Sequence, residues 1–97
     1  MNPAAVVRAL EEAVTQLGVR VRYERGTFRG GRCVVGDEEQ VVLNRRLPVE
    51  THVDVLAACL RELPHETVYL RPTVRAALED AWTRQARGQV DQTELEE

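Results

Sequence analysis

The groups in this 97-residue chain that can do chemistry are few: two cysteines, two histidines and a scatter of arginines and acids. His52 and Cys59 lie one heptad apart, so both can face the same side of a helix. Cys33 can approach them from a strand. A thiolate beside an imidazole makes an activated nucleophile, and two thiols with two imidazoles make a tetrahedral metal site. The set Cys33, His52, Cys59 and His65 is therefore the candidate metal centre. Its spacing matches no known ligand pattern. Cysteines among apolar strand and helix positions pack as small hydrophobes, so packing is the preferred reading, with His52 half exposed on a first helical turn. His65 and Glu66, behind Pro64, are a candidate acid–base pair or metal contact. The competing reading makes them loop polar groups, with Glu66 or Thr67 capping a turn.

Gly30, Gly31 and Arg32 are a candidate anion contact, since glycine amides and a guanidinium suit a phosphate. Arg45 and Arg46, next to Asn44, are another. Neither has the strand–GxGxxG–helix setting or a P-loop lysine, and the alternative is that both are ordinary turn residues. No catalytic residue and no cofactor is assigned.

These groups are positioned by a stretch at 41–63, VVLNRRLPVETHVDVLAACLREL. Val49, Val53, Leu56, Leu60 and Leu63 recur at steps of four, three, four and three, which keeps them on one helical face. Val55 and Cys59 widen that face. Pro48 suits the helix start, Glu50 favours its dipole, and Pro64 ends it. The run Val41, Val42, Leu43 before it reads as a buried strand.

Upstream, Asn2 caps a helix over 3–17 with Val7, Leu10, Val14 and Leu17 on one face, stopped by Gly18. Residues 19–23 alternate, with Val19, Val21 and Tyr23 on one side and Arg20 and Arg22 on the other. A connector, RGTFRGG, follows, and its Phe28 is expected to tuck back onto the core. Residues 32–35 and 40–44 read as two further strands about a turn at Gly36 and Asp37. Short links between the three strands predict an antiparallel meander. Residues 68–70 are a candidate edge strand or an ordered loop. Pro72 opens a last helix with Val74, Ala77, Leu78, Ala81 and Trp82 on one face, stopped at Gly88.

Ninety-seven residues make one domain with a modest core. No stretch reaches the roughly 20 apolar residues of a membrane span, and no secretory signal is visible. The two cysteines are then read as reduced thiols in a cytoplasmic protein. The chain has no Lys, Ser or Ile, and all 13 basic residues are Arg, which reads as codon pressure in a GC-rich bacterial genome. Residues 1–48 carry a balance of +2 and residues 49–97 one of −5, giving the net −3. That charge and the four aromatics argue against nucleic-acid binding. The uneven charge fits a solvated surface, or an Arg-lined sheet face meeting an acidic partner or the chain's own C-terminal half.

The order LGVRVRY, GGRCVVGDEEQVVLN and then a helix carrying LAACLREL resembles the front half of the ImmA/IrrE-type metallopeptidases, over about residues 17–63. Those are small zinc enzymes that cleave phage-type repressors. Their sheet leads through an I-x-x-N strand into a helix carrying HExxH. Here the two zinc histidines fall on Ala58 and Glu62, and the catalytic glutamate falls on Cys59. Zinc hydrolysis needs two imidazoles a turn apart and a carboxylate for the water's proton, so the resemblance implies a form without its active site.

The expectation is thus an α+β domain over residues 1–87, in the order α-β-β-β-α-(β)-α, with an acidic, flexible tail at 88–97. The expected core is Val7, Leu10, Val14, Leu17, Val19, Val21, Tyr23, Cys33, Val35, Val41, Leu43, Val53, Leu56, Leu60, Leu63, Leu70, Val74, Leu78 and Trp82. The expected function is a non-enzymatic protein-interaction module that contacts a protein partner or pairs with itself as a homodimer. The alternative is a minimal metal-binding protein or hydrolase built on the Cys and His residues.

Overall fold

In the computed structural model, which describes residues 2–96 and the side chains of residues 2–88, helix α1 covers Pro3–Gln16. Asn2 Oδ1 accepts from the Ala5 amide at 2.9 Å, and Gly18 ends the helix at φ +90°. Strands β1 (Arg20–Glu24), β2 (Gly30–Val35) and β3 (Glu38–Asn44) follow. Helix α2 is Val49–Arg61, with Pro48 as its N-cap rather than its first residue. A single 3-10 turn at His65–Thr67 leads to helix α3, Pro72–Glu96.

The α+β class stands, but the sheet is mixed, not an antiparallel meander. Its order is β1-β3-β2, with β1 parallel to β3 and β2 antiparallel to it. The link at 25–29 does not turn back beside β1. It crosses over the end of where β3 will lie, and β2 returns on the far side. Two parallel strands need a crossover of about a dozen residues or more; here the link, β2 and the Gly36–Asp37 turn together provide it. Asn44, the last residue of β3, holds the crossing. Its Nδ2 donates to Gly26 O at 3.0 Å and also to Phe28 O, while its Oδ1 accepts from the Arg46 amide at 3.1 Å. The Arg45 amide donates to Glu24 O at 2.8 Å, closing β1 onto the same corner. At Gly30 the crossing chain enters β2 at φ +115°, where a Cβ would sit 2.6 Å from Val42 O. Only glycine fits that approach.

Helices α1 and α2 cover the sheet, and α3 packs on them rather than on the strands. α1 lies on β1, α2 on β2 and β3, and α3 on α1 and α2. Trp82 Nε1 donates to Ala57 O at 2.7 Å and Gln85 Nε2 to Asp54 O at 2.8 Å, so α3 is hydrogen-bonded to the backbone of α2. Between the layers, Leu10, Leu43, Leu56, Leu60 and Leu78 are fully buried. Each such side chain contributes about 1.5–3 kcal/mol by leaving water. Val6, Ala13, Val55, Ala57, Cys59 and Ala81 join the expected core, and Leu17, Val21, Tyr23, Leu63, Leu70 and Trp82 pack on it half-buried.

Val35 and Cys33 depart from expectation. Their partners across the ladder are Glu38 and Gln40, on the face without helices. Val35 is accordingly 54% exposed and Cys33 half-buried. Phe28 also stays exposed. Residues 68–70 form no strand: Val68 and Leu70 pack on the core while Tyr69 is 81% exposed. α3 runs on through Gly88, and the side chains of the expected tail lie outside the described residues.

Replacing Asn44 by Ala should lower the unfolding free energy by about 2–4 kcal/mol, since two carbonyls and an amide lose their partner. Urea denaturation measures this. Asn44→Asp should cost at least as much, because a carboxylate cannot donate to the Gly26 and Phe28 carbonyls.

Candidate functional site

The four thiols and imidazoles go to separate places. Cys33 lies on the helix-free face of the sheet, opposite Gln40. His52, in the first turns of α2, is 8% exposed rather than half exposed. Its ring meets Tyr23 edge-on, with centroids 5.6 Å apart and planes at 89°. Cys59 is buried on α2 where that helix faces β2. His65 packs on Trp82 at 4.8 Å and lies 3.2 Å from Glu66. Thr67 Oγ1 donates to Pro64 O at 2.8 Å, capping the turn. Among the described residues, no group of three or more His, Cys, Asp or Glu side chains could hold a metal ion.

The anion candidates divide as well. Gly30, Gly31 and Arg32 line one groove, and Arg45 and Arg46 do not. Arg32 is bound to Glu39 at 2.6 Å. The Arg45 guanidinium sits 5.6 Å above the Tyr23 ring.

Four titrating groups are shifted: Arg32 and Arg84 are held up first by their hydrogen bonds to Glu39 and Asp54, and Cys59 and Tyr23 first by burial. Burial is the main cause holding the Cys59 thiol above its ordinary value, with Glu39 adding and Arg32 opposing. A buried, protonated thiol is a poor nucleophile. Tyr23 is also held up, first by burial and then by donating to Glu11 on α1, with Arg45 opposing.

What the structure does assemble is an open strand edge. β3 is central, so β1 and β2 are both edges. On the helix-free face, the β1 side is covered by charge: Arg20–Glu38 at 3.5 Å, Arg22 to Gln40 at 3.0 Å, Gln40 to Glu38 at 2.9 Å. β2 has no such cover. Among the described residues, no backbone hydrogen bond outside the β2–β3 ladder involves any residue of Gly30–Val35. Val34 is 62% exposed and Val35 54%. Beside this edge runs a groove of about 480 Å³ between β2 and α2. Val55, Ala58 and Cys59 line it, and Arg29, Arg61, Asp54 and Glu62 add its charges. Sequence reading placed Val35 in the core and assigned Val34 neither to core nor to surface. The signal was present in their cross-strand partners, Glu39 and Glu38, which cannot bury them.

Comparison of the chain with protein-family models, with curated proteins and with solved structures finds no match.

Cys59 and Tyr23 both hold their protons more tightly folded than unfolded. Unfolding therefore releases protons, and stability falls as pH rises past the free-group values. Thermal unfolding scanned by pH should show a first loss above about pH 8.5, from Cys59, and a second above about pH 10, from Tyr23. Tyr23→Phe should abolish the second and cost about 1 kcal/mol at neutral pH. Elemental analysis after dialysis against zinc should find far less than one zinc per chain, because no ligand set converges.

Proposed function

We propose that this chain is a non-enzymatic protein-contact module whose working surface is the open edge of β2, and that the strand it pairs with is β2 of a second copy. The observation that carries this is the exposure of Val34 and Val35 on a strand with one side of its backbone unpaired. An unpaired row of N–H and C=O groups is a template for another strand, and protein edges are usually shielded by charge, proline or a covering element. β1 carries that shield in Arg20, Arg22 and Glu24. β2 does not: its one charged side chain, Arg32, is drawn aside to Glu39. A second copy offers the same apolar strand, and a modest single-domain core gains stability from such pairing.

The reading assigns no cofactor, nucleic acid or membrane, and places the protein in a bacterial cytoplasm with both thiols reduced. No helix among the described residues is long and apolar enough to cross a membrane. The ImmA/IrrE-like pattern is taken as that of a relative without its chemistry. Ala58, Cys59 and Glu62 all line the groove beside β2, but they bring no imidazole to it. Among the described residues the metal-binding or hydrolase alternative has no group of three ligands to rest on.

Light scattering after size exclusion tests the reading. The expected mass rises with concentration toward twice the 11.0 kDa chain. Val34→Glu, which puts a charge on the pairing strand, should return it to the monomer without loss of helical circular dichroism. A wild-type monomer at every concentration overturns the proposal.

A further inference from the structure

Resting on that strand-pairing reading, the geometry points to one register: we propose that the two β2 strands pair antiparallel about Cys33, which faces the Cys33 of the partner subunit across the twofold axis. The argument is one of symmetry. Two identical strands lying side by side and antiparallel are related by an axis perpendicular to the sheet. Facing residues then lie on the same sheet face, and the central residue faces its own copy. The helices of both subunits fall on one side of a continuous six-stranded sheet.

Only three residues sit near enough to the middle of Gly30–Val35 to be central: Arg32, Cys33 and Val34. Centring on Arg32 sets two Arg32 side chains directly opposite each other, and like charges directly opposite are destabilising even with each paired to its own Glu39. Centring on Val34 slides the overlap onto the turn at Gly36 and Asp37, where the chain leaves the strand. Centring on Cys33 avoids both. Val35 then lies opposite the partner's Gly31, a position where even an added Cβ would meet nothing within 4 Å. Val34 lies opposite Arg32, whose charged head is held away by Glu39, leaving the aliphatic stem as its neighbour. Just beyond the strand, Arg29 comes opposite Asp37 twice over, by the symmetry. Cys33 and its copy point to the helix-free face, so no helix stands between them.

Directly opposite residues in an antiparallel pair have Cβ atoms about 4.5–5.5 Å apart, against about 7–8 Å for the diagonal neighbours. A disulfide needs about 3.5–4.5 Å, so cross-linking reads the register. Full-length protein is treated with diamide, which takes up the two electrons and two protons that the joining thiols release. Wild type should give a band of twice the chain mass that dithiothreitol reverses, and Cys33→Ala should lose it. Cys59 stays in place throughout, being buried. In the Cys33→Ala background, Arg32→Cys mixed with Val34→Cys should cross-link, while each alone should not. Cross-linking by Val34→Cys alone, or by Arg32→Cys alone, overturns the Cys33 register. A dimer by light scattering in which Cys33 does not cross-link also overturns it, while leaving strand pairing at β2 intact. A monomer by light scattering overturns both proposals.

Discussion

One buried amide holds the architecture together. Asn44 is 1% exposed at the end of the central strand, and it uses both ends of its side chain. Its nitrogen takes two carbonyls of the crossing chain, and its oxygen takes the amide that starts the next turn. Those carbonyls belong to a link that has left one edge of the sheet and not yet joined the other, so they have no ladder to pair with. An unpaired buried carbonyl costs about 1–3 kcal/mol. The asparagine removes that cost at the one place where the fold creates it.

The crossing decides what the sheet exposes. With β3 in the middle, its residues Val41 and Leu43 meet the helices and are fully buried. The helices then need to cover one face only: α1 and α2 do so, and α3 is tied to α2 by Trp82, Arg84 and Gln85, which reach its backbone and Asp54. The uncovered face is managed with charge on the β1 side, where Arg20, Arg22, Glu38 and Gln40 interlock. At the β2 edge Val35 is left in water on that face and Val34 on the opposite one. The two edges of the sheet therefore differ in how they are covered.

The reactive side chains are spent on packing. His52 braces Tyr23, His65 lies on Trp82, and Cys59 fills the interface between α2 and the sheet. Each is held by a different pair of elements, so no small shift brings them together. The groove beside β2, though of ligand size, carries Arg29, Arg32, Asp54 and Glu62, and three of these are already in ion pairs.

Periodicity alone determined the elements: the apolar steps of α1 and α2, the alternation of Val19, Val21 and Tyr23, and the prolines and glycines that bound them are local properties, and local geometry reads them directly. It also determined which helical faces would be buried, because an apolar stripe has no other use. Strand order was not legible, since a short link is compatible with a hairpin or with a crossing, and the Asn44 bonds that hold the crossing exist only once β3 has formed. The fate of Val34, Val35 and Cys33 followed from that order, because the face a strand residue occupies depends on its partner's register. The burial of His52 was likewise decided by Tyr23, a neighbour distant in the chain. What the chain is made of could be read residue by residue; which surface it leaves open was settled only when the strands took their places.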